Sequence, residues 1–332
     1  MPAASKFLCL LLTVLLVPTG NSVQPQEKDT KPVAAPAVTL PFARLKAEAT
    51  FDVSGERVVL AAADAIWIGS RETSSVVRID PKTGKITQTV KLAAPPCGGL
   101  VEGFGALWIP LCGSPAGLAR LDTKTYEVAA TISRGISTIA GAPASAARSV
   151  WLVADQKGTL LRIDPETNAG IAEIHLGAGA RGVVSGPDAL WVPVSSSQAV
   201  VRINPNNNLI VETIKVGKQP RSVSVGEGAV WSLNAGDGSV SRIDPKTNKV
   251  TATVTLGVKI GEGQMVAGEG SIWITSPAAP LIRVDPRTNR VAQIFTGAGG
   301  GAMALGHGSL WIASSPKTVS RIDPKLVEAT RY

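Results

Sequence analysis

The chain is poor in the side chains that most often carry chemistry. Among its 332 residues there are two His, three Cys, two Tyr and five Phe. So little His and Cys leaves almost no material for zinc-type ligand sets or Cys–His nucleophiles. No nucleotide-binding glycine loop and no nucleophile triad is present. Long apolar runs are also missing. The longest, "FLCLLLTVLLV" at Phe7 to Val17, is 11 residues, where a membrane-spanning helix needs about 20. It follows Lys6 and precedes "PTGNS", the order expected of a secretory leader with its small residues at the cleavage point. Residues 1–22 are therefore expected to be a signal peptide and the mature chain to be periplasmic or secreted, with no transmembrane segment. Residues 23–43, rich in Pro, Ala and charge, are expected to form a flexible linker. Residues 44–332 form the folded domain.

What the chain does have is tryptophan, glycine and a repeat. Seven Trp outnumber the Phe, and 34 Gly separate short runs rich in β-branched residues. Trp67, Trp108, Trp151, Trp191, Trp231, Trp273 and Trp311 are spaced by 41, 43, 40, 40, 42 and 38 residues. Each follows Ile, Leu or Val, as in "AIW", "ALW" and "SVW". Arg78, Arg120, Arg162, Arg202, Arg242, Arg283 and Arg321 come ten to twelve residues later, within segments such as "VRIDP", "LRIDP" and "SRIDP". A period near 40 with several strands per unit marks a β-propeller. The fold class is all-β: a seven-bladed propeller of four-stranded antiparallel blades.

In the fifth unit, "RSVSV", "AVWSL", "SVSRI" and "KVTATVTL" read as strands one to four. "GEG" and "DPKTN" read as hairpin turns; the Asp carboxylate bonds amides ahead of it and Pro presets φ. The last unit lacks an outer strand, and the segment Leu45 to Val53 has no blade of its own. That segment is expected to complete the seventh blade and close the ring. Seven equivalent Trp are packing between sheets, and seven equivalent Arg lace blades together through carboxylates or carbonyls.

The units "VWSLNAGDGSVSRIDPKTNKVTATVTLG" and "LWVPVSSSQAVVRINPNNNLIVETIKVG" resemble the YVTN-type repeats of periplasmic and secreted propellers. The "GPDALW" and "GEGAVW" turns resemble virginiamycin B lyase-like propellers. The resemblance covers about residues 44–332 and implies the seven-bladed fold. Members include a metal-dependent lyase of a cyclic peptide antibiotic, a DNA-binding periplasmic protein and many of unknown role. The lyase chemistry implied by the resemblance uses His and Glu side chains with magnesium near the central channel. Here His175 stands in an outer strand ("AEIHLG") and His307 in the turn between first and second strands ("GHGSLW"). Neither matches a catalytic position, and no catalytic residue, metal or cofactor is expected.

Functional residues are better sought where the repeats disagree. Ten positions before each Trp stand Arg57, Gly98, Gly141, Arg181, Arg221, Gly263 and Gly301. This position opens the first strand, on the face where propellers place their sites. Arg57, Arg181 and Arg221, with Lys218, Glu262 and Gln264 nearby, are the candidate ligand-binding residues for an anion. Cys97 and Cys112 flank the first hairpin of the second unit at equal distance from its turn, so they are expected directly opposite each other and disulfide-bonded. The leading expectation is a monomeric, non-catalytic binding or scaffold module for an anionic ligand or partner protein. A carbon-oxygen lyase of the virginiamycin B lyase type and a single-stranded DNA-binding protein are the alternatives. Sparse aromatics on the loops leave nucleic acid a weak candidate partner.

Overall fold

In the computed structural model, residues 1, 37–53, 57–297, 300–315 and 317–330 are described. The expected leader and the tether up to residue 36 lie outside the described residues. Seven sheets follow one another around a ring. Each blade is a meander whose first strand is innermost. Blade 5 shows the pattern: Pro220–Gly226, Ala229–Asn234, Ser239–Asp244 and Lys249–Thr255, all antiparallel. No helix among the described residues is long and apolar enough to cross a membrane.

The ring closes as the repeat requires. Ala49–Asp52 pairs antiparallel with Thr318–Ile322 and supplies the outer strand of blade 7. The end of the expected linker is ordered, however. Val38–Pro41 lies parallel to Arg290–Thr296 as a fifth strand on blade 6. Leu40 is buried there with Trp273 and Phe295, and that apolar anchor is why a four-residue segment with no detectable period is held. Pro41 sits at the end of this edge strand, where its missing N–H leaves no gap in the ladder.

All seven Trp are at most 1% exposed. Each lies opposite the Arg of the third strand: Trp67 pairs with Arg78, and so on to Trp311 with Arg321. In blades 2 to 7 the guanidinium stacks on the indole at 5.1–6.0 Å, a cation–π contact. It then reaches into the next blade. Arg120, Arg162, Arg202 and Arg242 donate to the Oδ1 atoms of Asn168, Asn208, Asn248 and Asn289. These Asn close the "DPKTN"-type turns at φ of 55° to 64°. Arg283 reaches Glu328 of the C-terminal helix Pro324–Ala329 at 2.8 Å, and Arg321 reaches the Pro81 carbonyl of blade 1 at 3.0 Å. Blade 1 is the exception. The next turn carries Tyr126 instead of Asn, its ring leans on Trp67, and Arg78 pairs within its own blade with Asp64.

Small departures from the repeat leave identifiable gaps. In blades 3, 6 and 7 the Arg Nε donates to a Ser two residues before the Trp: Ser149, Ser271 and Ser309. Blade 4 has Ala189 there, and the buried Nε of Arg202 has no partner. Similarly, Trp108, Trp151, Trp231, Trp273 and Trp311 donate to the carbonyl five residues earlier. The equivalent carbonyl for Trp67 is that of Ala62, which His307 of blade 7 contacts through Nε2 at 2.8 Å; the Trp67 indole N–H is left unpaired.

Two predictions follow from these contacts. Ala189→Ser restores an acceptor to Arg202 and raises unfolding free energy by about 1 kcal/mol; denaturant titration showing no gain or a loss would refute it. The turn carboxylates of Asp80, Asp122, Asp164 and Asp244 are held below the ordinary aspartate range chiefly by backbone amides two and three residues ahead. For Asp285, burial opposes the shift and the amides of Arg287 and Thr288 outweigh it. A lowered folded-state value stabilises fully above the unfolded value of about 4 and is lost as pH falls through the folded value. Melting temperature should therefore be level above about pH 5 and fall below pH 4. Asn substitution, as blade 4 has naturally at Asn204, should flatten that fall.

Candidate functional site

At Gly98 and Gly141, each ten residues before its Trp, glycine has a steric reason. Around blades 2 to 4 the entering segments touch. A Cβ on Gly98 would collide with the carbonyl of Gly141, and one on Gly141 would lie 2.5 Å from the Gly182 amide nitrogen. No side chain fits there. In blades 4 and 5 the same position carries Arg181 and Arg221.

Both arginines line the central cavity of about 800 Å³, whose wall draws on all seven blades, from Val58 in blade 1 to Met303 in blade 7. They also line a second cavity of about 520 Å³ between blades 4 and 5, with Ser195, Ser196 and Gln219. Arg221 is placed by a β-bulge: register shifts between Pro220 and Ser222, so Arg221 is the extra residue. Such a bulge re-aims a side chain. The approach to it is anchored from below. Asp237 Oδ2 accepts the Lys218 amide at 2.7 Å, and its Oδ1 accepts Ser239 Oγ at 2.6 Å. Ser239 and Ser241 are in turn bonded by buried Asn234.

The charges at this mouth are unbalanced. Arg221 is ion-paired with Glu262 of blade 6; the Arg side chain is 22% exposed and the Glu 77%. Burial, and then the like charge of Arg181, press the Arg221 guanidinium below its usual range. Arg181 is exposed and makes no ion pair among the described residues. Two cations therefore share one carboxylate.

The other expected residues fall as follows. Gln264 lines the cavity, and its Oε1 accepts the Met303 amide of blade 7 at 3.0 Å, a blade-to-blade contact. Lys218 is exposed on the loop before Arg221 and lines neither cavity. Arg57 opens the strand Arg57–Ala61 of blade 1 opposite Ser70; its side chain lies outside the described residues.

Cys97 and Cys112 form a disulfide with Cα atoms 5.7 Å apart, but they are not directly opposite. The Cys97 amide donates to the Pro110 carbonyl and the Cys112 amide to that of Pro95, so the bridge joins diagonal neighbours flanking the Pro96–Leu111 pair. The left-handed Gly98, φ 70°, lies between this pair and the main ladder that starts at Val101–Trp108 and displaces the register by two residues. Cys97 itself lines the channel cavity.

The donor set for a His–Glu–magnesium centre is not assembled. His175 contacts Thr159 in blade 3 through Nδ1 at 3.2 Å, and His307 sits on the opposite face against Ala62. The cavity carboxylates are engaged separately, Glu262 by Arg221 and Asp155 by the Thr159 amide and hydroxyl. Among the described residues no group of three His, Cys, Asp or Glu could hold a metal. No aromatic side chain lines either cavity, so a base would find no stacking platform.

No protein-family model matches the sequence, and no curated protein matches it significantly. Solved structures match the fold. A streptogramin B lyase is 17% identical over 82% of this chain and 96% of its own, with a TM-score of 0.69. A catalytically inactive virginiamycin B lyase from Staphylococcus aureus, with quinupristin, is 15% identical over 83% and 98%, TM-score 0.71. BamB from Moraxella catarrhalis is 13% identical over 85% and 98%, TM-score 0.61. This chain shares the propeller fold of these proteins. One fold hosts many activities, and identities this low carry the architecture only.

The disulfide closes a loop of 15 residues, for which chain entropy gives roughly 3 kcal/mol. The double variant Cys97→Ser/Cys112→Ser should melt lower than the oxidised wild type; equal melting would show that the bridge does not constrain the fold.

Proposed function

We propose that the protein is a secreted or periplasmic, non-catalytic binding module that takes an anionic group of its ligand at the channel mouth, between Arg181 and Arg221. The leader-like N-terminus and the disulfide support the compartment. The observation that carries the binding reading is the pair Arg181 and Arg221, which lines both cavities and has only the Glu262 carboxylate ion-paired to it among the described residues. Guanidinium groups bind oxyanions through charge-assisted, forked hydrogen bonds. A second cation beside a partly buried one is costly unless an anion joins them, so the site favours occupation. Arg242 and its equivalents take no part, because their charges are spent on indoles and neighbouring turns.

The lyase alternative is not favoured, since among the described residues no histidine lines the cavity and its two carboxylates, Glu262 and Asp155, are each engaged elsewhere. Titration calorimetry with inorganic phosphate at low ionic strength tests the reading. Wild type should bind, and Arg181→Ala and Arg221→Ala should each weaken binding about tenfold while the fold, checked by circular dichroism, is kept. Unchanged affinity in the double variant would overturn the assignment.

A further inference from the structure

The ion pair across blades 5 and 6 bears on which anions the mouth accepts. Glu262 comes from a neighbouring blade, is 77% exposed, and has its carboxylate on the more buried of the two arginines. A ligand oxyanion that reaches Arg221 must compete with it. Glu262 is thus an internal stand-in for the ligand's anionic group, and its single negative charge leaves the arginine pair with one positive charge in excess.

From this arrangement we infer that the mouth selects a dianionic phosphoryl group, a phosphate monoester, which displaces the Glu262 carboxylate from Arg221 and bridges it to Arg181. This rests on the binding reading above and narrows it. The selection is a matter of charge counting. A monoanion that replaces Glu262 on Arg221 restores only the balance that Glu262 already provides. A dianion neutralises both guanidiniums and removes the repulsion between them. The tetrahedral group also offers three acceptor oxygens, enough to accept from both forks at once. Displacement of Glu262 is tolerated, because its carboxylate is 77% exposed and is rehydrated as it leaves Arg221. Glu262 acts here as a specificity residue: it competes with every ligand oxyanion for Arg221, and a dianion gains most over it. The two cavities leave room on either side of the pair for the rest of a monoester.

Phenyl phosphate and phenyl sulfate test this, since they share ring and tetrahedral shape and differ in charge at pH 7.5. Wild type should bind phenyl phosphate about tenfold or more tighter than phenyl sulfate, and the preference should fade below pH 6 as the phosphate loses its second charge. Glu262→Gln, an exposed substitution that keeps the side-chain shape, should bind phenyl phosphate about three- to fivefold tighter than wild type. It should also melt lower without ligand and regain more stability on adding it. Equal affinity for the two esters, or a Gln variant that binds no tighter, would overturn the inference and leave the arginine site standing. Phenyl phosphate binding that survives Arg181→Ala/Arg221→Ala, or no binding of either ester to wild type, would overturn both.

Discussion

The ring depends on one contact made over and over: an arginine lying on its own blade's tryptophan and bonded to the turn of the next blade. The indole alone would pack sheets together without fixing their relative height or rotation. The guanidinium adds direction, because its forked donors reach the Asn Oδ1 and the Pro carbonyl only when neighbouring blades stand in register. The Asp carboxylate fixes the turn that presents those acceptors. From blade 2 to blade 5 the Trp and Arg of one unit and the Asn-closed turn of the next therefore form one device, and substitution in it is felt in two blades.

A ring held this firmly at its periphery can afford asymmetry at its axis. Gly98, Gly141 and Gly182 bring the entering segments of blades 2, 3 and 4 into backbone contact, while Arg181 and Arg221 extend their side chains into the central cavity and the one between blades 4 and 5. The bulge at Arg221 and the polar core of Asn234, Ser239 and Asp237 set that arginine without borrowing anything from the repeated device. Architecture and candidate function thus occupy different segments of each blade: the repeated Trp and Arg lie on the second and third strands, the candidate site where the chain enters the first.

The blades were legible in the sequence because one Trp in each period of about 40 can mean little else. Ring closure by Ala49–Asp52 was legible from the missing outer strand of the last unit. The fifth strand of blade 6 was not, since Val38–Pro41 gains its order from Leu40 entering a pocket built by residues some 250 positions away. The arginine lacing is expected from the repeat, but its Asn acceptors are not, because their side chains meet the arginine across a blade boundary that a single unit does not contain. At the mouth, Arg181, Arg221 and Glu262 could be placed on one face because each lies where the chain enters the first strand of its unit. That Glu262 pairs with Arg221 and leaves Arg181 exposed depends on the bulge, which no local pattern announces. The cysteines illustrate the same limit: equal spacing from the turn predicted the bridge, while Gly98 shifted the register that spacing assumes.

The central claim is that repeated residues build the ring and divergent ones serve the ligand. It is tested most directly by substituting two arginines of blade 5 separately, Arg242→Ala and Arg221→Ala, and measuring melting temperature and phosphate affinity on each. The account predicts that Arg242→Ala lowers the melting temperature and leaves affinity intact, whereas Arg221→Ala lowers affinity with little effect on melting. Parallel losses of both properties in the two variants, or the reverse assignment, would contradict it.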